Sequence, residues 1–259
     1  MAKKVVKKAV ARKPVPKKAA KPAVKAKPPV KAAKAAKAPK EIQPGSGTGN
    51  KQRFTLYGFA LSMPTYTVAL MLSMCKHPFS YFHMNLREGA HKQPDYLVKN
   101  RYGQVPALRD GHHHVVQSAA ILEYLADSLK KFDGKTPIEK QRIREWLFWQ
   151  WDKLALPVFR LRAKARGLRQ FGDEVRIMYD NEAKQAFAVL EAELGKSDWI
   201  GLKKPTIADI GVYVVTRAAQ EAHLDIGPYP RLVAWKKRFE ALPGFGTPEQ
   251  ILPMESRLL

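Results

Sequence analysis

Residues 101–129 read RYGQVPALRDGHHHVVQSAAILEYLADSL. The short apolar run 107–109 suits a strand, Asp110-Gly111 is a turn dipeptide, and Val115-Val116 suit a returning strand. A helix follows from Ser118 to about Leu129. Working outward towards the N-terminus, 79–86 (FSYFHMNL) alternates as a strand. Residues 64–74 carry Val68, Leu70, Met71 and Leu72 in a helical pattern, and Phe54–Gly58 (FTLYG) reads as the first strand. Towards the C-terminus the pattern beyond Pro137 is helical throughout. Ile143, Trp146, Leu147, Gln150 and Leu154 fall near one face, and long amphipathic stretches span 173–194 and 206–222. Pro205-Thr206-Ile207-Ala208-Asp209 is a capping box, in which the Thr206 hydroxyl takes a backbone N–H of the first turn and Asp209 reaches back.

Strand, helix, strand, then hairpin and helix is the thioredoxin-like order. The fold class expected is therefore an α/β thioredoxin-like domain over 51–132 and an all-α domain over 133–259, preceded by a tail over 1–50. That tail is built almost wholly of Lys, Ala, Val and Pro and holds no aromatic residue. Fourteen lysines and Arg12 against Glu41 give residues 1–41 a charge of +14 out of the formal +23. Such a segment buries too little apolar surface to offset about 1–2 kcal/mol per residue of backbone ordering, so disorder is expected. Residues 44–50 (PGSGTGN) read as a hinge. In composition the tail resembles the basic C-terminal domains of linker histones and the Lys-Ala-Pro repeats of bacterial histone-like proteins. Two readings stay open: nonspecific, salt-dependent binding of nucleic acid or another polyanion through residues 1–40, or a solvated tail that aids solubility.

A single cysteine, Cys75, excludes an intramolecular disulfide. No apolar run approaches the ~18 residues of a membrane span, and no secretory signal is legible, which predicts a soluble cytoplasmic chain without membrane contact. The tail adds nucleoid association as an expectation. His112, His113 and His114 suggest metal binding, but successive residues of an extended segment point to opposite faces, so no metal is expected.

The element order, VPAL at 105–108, Gln117-Ser118 at a helix start, and PTIADIGVYVVTRAA (205–219) with PYPRLVAWKKRFEALPGF behind it together resemble the cytosolic glutathione S-transferases over about residues 53–250. The likeness is to the serine-type classes, bacterial, theta and tau. It implies a detoxifying transferase with glutathione as co-substrate and a small hydrophobic electrophile or peroxide as acceptor, working as a homodimer. A non-catalytic binding module of the same fold, tethered by its tail, is the alternative. By resemblance, Pro106 is the cis-proline that presents the backbone of Val105, beside Gln104, to the cysteinyl part of glutathione. Gln117 and Ser118 hold the γ-glutamyl carboxylate at a helix N-terminus, with Gln117 standing where many members carry Glu. His91, with Lys92, resembles the site for the glycine carboxylate.

Activating glutathione requires a hydrogen-bond donor for its thiolate, and the resemblance puts that donor between the first strand and the first helix. Ser62, six residues before Val68, matches the serine-type position; Tyr57, Tyr66 and Thr65 are the competing donors. Trp149 and Lys153, four apart on a helix over 138–154, are expected to line the acceptor pocket. Cys75 lies too far along to be a nucleophile and is expected to be a small core or surface residue.

Overall fold

The computed structural model describes residues 52–258, so the tail expected over 1–50 lies outside the described residues. β1 (Phe54–Gly58) is buried along its whole length because it takes the middle of a sheet. β2 (Phe79–His83) runs parallel to it on one side, and β3 (Ala107–Asp110) antiparallel on the other. β4 (His113–Val116) pairs back on β3, while β5 (Arg257–Leu258) covers the free edge of β2, giving the order β4-β3-β1-β2-β5. β2 stops three residues short of the alternation in the sequence. Its last partner is Gly58, where β1 itself ends, so the chain beyond His83 has no strand to pair with. The triple histidine enters β4 with His113 opposite Asp110 and His114 opposite Arg109. Among the described residues no group of three or more His, Cys, Asp or Glu is placed to hold a metal ion, and no helix is long and apolar enough to cross a membrane.

α1 (Met63–Met74) carries β1 over to β2, and ten of its twelve residues are buried, which is why its apolar residues run on almost without periodicity. Cys75 ends it inside the core, where burial pushes its thiol up to about 11. The short α2 (Pro94–Leu97) leads towards β3, and α3 (Ser118–Leu129) buries Ile121, Leu122, Leu125 and Ala126. The helical half contains α4 (Pro137–Trp149), α5 (Leu156–Ala165), α6 (Asp173–Glu193), α7 (Ile207–Glu221), α8 (Pro230–Glu240) and α9 (Pro248–Ile251). The single helix expected over 138–154 is interrupted: Gln150–Ala155 forms a π-helical turn between α4 and α5. Pro157 accounts for the widening, since it has no N–H to donate to the carbonyl four residues back and its ring crowds that carbonyl. The wide turn puts the Gln150 side chain against α7 at Gly211, where a Cβ would lie 2.6 Å from Gln150 Oε1.

One hydrophobic core joins both halves, from Phe54 and Leu56 through Met71 and Leu122 to Ile210, Val214 and Trp235. α7 runs through its middle with twelve of fifteen residues buried, packed on α1, α4 and α5. Its start is fixed by the capping box. Ala208 N donates to Thr206 Oγ1 at 3.2 Å, and Thr206 N donates to Asp209 Oδ2 at 2.9 Å. Asp209 is fully buried and accepts two further bonds at Oδ1, from Ile200 N and from Trp235 Nε1, each at 3.0 Å. Burial pushes its carboxyl up to about 6, while these four donors, with the Thr206 hydroxyl among them, pull it back down. Replacing Asp209 by Ala orphans buried donors on three segments at once, so we expect a loss of about 4 kcal/mol. Calorimetry of Asp209→Ala should show the melting temperature falling by about 10 °C.

Candidate functional site

The site begins where β1 runs out. Gly58 has no side chain, and a Cβ there would overlap the Thr65 methyl. The chain therefore folds tightly over the start of α1: Phe59 N donates to Thr65 Oγ1 at 3.3 Å and Ser62 N to the Phe59 carbonyl at 2.9 Å. Ser62 is the N-cap of α1, in extended conformation, and its Oγ accepts from Thr65 N at 3.3 Å. Because that oxygen serves as acceptor in the cap, its own hydrogen is left to donate elsewhere. Pro64, in the first turn, needs no partner for a missing N–H. None of the other three candidate donors lines the cleft. Thr65 is buried in the cap, and Tyr66 is buried with its hydroxyl donating to Gly246 O at 2.8 Å. Tyr57 belongs to a small separate cluster with Met84, Tyr96 and Ala107.

The second wall is the segment before β3. The Val105-Pro106 peptide is cis. The Gln104 carbonyl that precedes it accepts from Tyr96 Oη at 2.6 Å and from Asn100 Nδ2 at 2.7 Å, and Lys92 Nζ donates to the Gly103 carbonyl at 2.9 Å. Burial pushes the Tyr96 hydroxyl far above its usual range, so it stays a neutral donor. The third wall is the start of α3. Gln117 has φ +70°, a conformation sparsely used by residues with a side chain and costing on the order of 1–3 kcal/mol. It turns β4 into α3 so that the first N–H groups of the helix, with the buried Ser118, face the Gln104 side. Gln117 Nε2 lies 3.5 Å from Gln104 Oε1.

These walls enclose one cleft of about 550 Å³ lined by Ser62, His91, Lys92, Gln104, Val105, Pro106, Gln117 and Ser118. Residues 62, 91–92, 104–106 and 117–118, far apart in the chain, meet there. His91 Nδ1 is buried without a hydrogen-bond partner, and burial, followed by the neighbouring charge of Lys92, lowers its pKa. The helical half closes the cleft differently from the expectation. Trp149 stacks edge-on against Trp146 at 5.0 Å, and Lys153 is exposed and paired with Asp152 at 2.9 Å; neither lines the cleft. Trp151 and Phe159 do, as a T-shaped pair 6.0 Å apart, together with Leu86 and Pro64. Through the π-helical turn at Gln150–Ala155 a 3.6-residue period no longer gives the inner face, which Trp151 in the turn and Phe159 after it supply. Pro157, inside an otherwise helical stretch, was the signal that could have exposed this. Asn100 and Tyr96 carry no motif, since they act on a backbone carbonyl rather than on a ligand.

Chemically the cleft offers two helix N-termini, a hydroxyl donor at one of them, Lys92 and an unpartnered imidazole nitrogen along one side, and apolar rings opposite. It suits an extended anion with a carboxylate at each end and a nucleophilic atom beside Ser62.

Comparison with known proteins agrees with this geometry. The family model described as Glutathione S-transferase, N-terminal domain matches residues 52–127, and that described as Glutathione S-transferase, C-terminal domain matches residues 172–243. A maleylacetoacetate isomerase of Rhizobium meliloti is 28% identical over 204 residues, covering 73% of this chain and 92% of that protein. A glutathione S-transferase of Silene vulgaris is 28% identical over 212 residues, covering 73% and 94%. Among solved structures, a possible glutathione S-transferase from Rhodopseudomonas palustris superposes with a TM-score of 0.71 at 28% identity, covering 76% of this chain and 90% of that one.

Since the Ser62 cap depends on the close approach of Thr65 to Gly58, Gly58→Ala should cost about 2 kcal/mol through overpacking, seen as a melting temperature lower by about 5 °C. Adding Thr65→Ser, which removes the obstructing methyl and keeps Oγ1, should restore much of that loss.

Proposed function

Because the chain belongs to the glutathione S-transferase family, its two family models together matching more than half of its length, we propose that it is a glutathione transferase acting on a small hydrophobic electrophile. The observation that carries this reading is the convergence of Ser62, Val105-Pro106 and Gln117-Ser118 on one cleft. Glutathione lies with its γ-glutamyl carboxylate on the start of α3, its cysteinyl backbone along Val105 beside Gln104, and its glycine carboxylate towards His91 and Lys92. The buried, unpartnered His91 Nδ1 suits such a ligand. The sulfur then sits at the start of α1, where the Ser62 hydroxyl donates to the thiolate and the helix dipole favours its charge. The proton of the thiol leaves to solvent, the sulfur forms a bond to the electrophilic carbon, and the leaving group departs with the electron pair. Most of the rate enhancement comes from holding the two reactants together, with Trp151 and Phe159 bounding the acceptor's place.

In this reading residues 51–132 bind glutathione and residues 133–259 shape the acceptor side. The protein detoxifies electrophiles in the cytoplasm as a homodimer; the exposed apolar side chains of Leu97, Val98 and Tyr102, next to the cleft segment, support pairing of two copies. Residues 1–40 hold it nonspecifically to nucleic acid or another polyanion, which extends its location to the nucleoid. The +14 charge of residues 1–41 supports this, and affinity for DNA should fall steeply with salt in the full chain and vanish in a chain beginning at Lys51.

Two measurements test the site. Ser62→Ala should bind glutathione with little change but lose about 100-fold in conjugation rate, the effect of removing one donor to a developing or resident anion. Unchanged turnover would move the donor elsewhere. The His91 imidazole, lowered in the free protein, is mainly neutral at pH 7 and is favoured as imidazolium by a bound carboxylate. Titration calorimetry with S-methylglutathione, which has no ionisable sulfur, should therefore show affinity rising as pH is lowered from neutral, and His91→Gln should flatten that dependence.

A further inference from the structure

α5 does two things at the cleft. Phe159 lines it, and one turn on, Arg162 reaches the back of the segment that carries Ser62. The Arg162 side chain is only 13% exposed. One of its terminal nitrogens donates to the carbonyl of Leu61 at 3.2 Å, and its Nε donates to Glu221 Oε2, at the end of α7, at 2.9 Å. Arg166 donates to the same Glu221 oxygen at 3.0 Å. The Leu61 carbonyl belongs to the peptide bond whose nitrogen is that of Ser62, and this N–H donates to Phe59 O. The peptide joining Leu61 to Ser62 is thus gripped on both sides, by its own turn and by a cation from the helical half.

We propose that Arg162 is a positioning residue for the transferase reaction, holding the Leu61-Ser62 peptide so that the Ser62 hydroxyl meets the glutathione sulfur. The inference rests on the proposed transferase function. A peptide at a strand end, held only by its own turn, can rotate and carry Ser62 Oγ away from the sulfur. A second bond to its carbonyl removes that freedom, and a guanidinium is suited to it because a rigid fork can serve Leu61 O and Glu221 together. Glu221 orients the fork, and Arg166 and Arg217 are the other charged groups near it. Nothing in the motif pattern points to Arg162, because it touches neither glutathione nor acceptor.

The experiment compares wild type with Arg162→Lys, Arg162→Gln and Arg166→Gln in the full chain, reading kcat, the KM for glutathione, and the pH midpoint of thiolate formation by ultraviolet absorbance of bound glutathione. Circular dichroism identifies the folded variants, and the conservative Arg162→Lys keeps the comparison open if Arg162→Gln does not fold. Both Arg162 variants should lose about tenfold in kcat with the KM for glutathione within about twofold, since a displaced donor affects the reacting sulfur more than the carboxylate grips. Their thiolate midpoints should rise, while Arg166→Gln, which leaves the Leu61 contact in place, keeps wild-type values. Wild-type kcat and midpoint in the folded Arg162 variants would overturn the inference alone. So would an equal loss in Arg166→Gln, which would assign the effect to the charge cluster rather than to the Leu61 contact. A wild type that binds glutathione without lowering its thiol pKa would overturn the transferase reading and this inference together.

Discussion

A buried carboxylate pins the helix on which both halves of this protein pack. Asp209 accepts from Thr206, from Ile200 and from the Trp235 indole, and so ties the start of α7, the 199–200 loop and α8 to one buried point. Taking a charge into the core is unfavourable unless each lone pair is used, and here four donors converge on two oxygens. With its start pinned, α7 lies as the axle of the core against α1, α4 and α5. α1 then carries Ser62 at its N-terminus, and α5 carries Phe159 and Arg162. The placement of the cleft walls thus follows from a residue that does not line the cleft.

The cleft is made largely of main chain shaped at three places by a close approach, a cis peptide and a left-handed residue. Gly58 allows the turn that exposes Ser62, the cis Val105-Pro106 peptide turns the edge of β3, and Gln117 at φ +70° turns β4 into α3. Each is held by ordinary bonds: Thr65 behind Gly58, Tyr96 and Asn100 on the Gln104 carbonyl, and the Ile121 N–H on the Gln117 carbonyl at 2.9 Å. Main-chain N–H groups at helix starts are a rigid means of binding carboxylates, because they are preorganised by the helix and lose no side-chain entropy. This explains why a site for a charged peptide needs so few charged side chains.

The apolar wall of the cleft follows another logic. Its aromatic pair is carried by a π-helical turn and the helix after it, and a widened turn changes which side chains face inward without changing the helix axis much. Substitutions around Pro157 can therefore retune that wall while the glutathione side, built on the sheet, stays as it is.

Composition and periodicity indicated the main strand and helix order, because the short run FTLYG, the alternation in FSYFHMNL and the capping box at 205–209 are local signals. The family resemblance carried by VPAL and Gln117-Ser118 also pointed to the cis proline and to the helix start that the structure holds at these positions. What the tertiary structure decided lay in contacts between distant segments and in one departure from helical period. Trp151 and Phe159 line the cleft where Trp149 and Lys153 were expected, the one within and the other just beyond the turn that widens ahead of Pro157. Tyr57 went to the second cluster because the pleat of β1 points it there. The bond from Arg162 to the Leu61 carbonyl joins residues 101 positions apart, and no local pattern encodes a hydrogen bond to a main-chain oxygen, which every residue possesses.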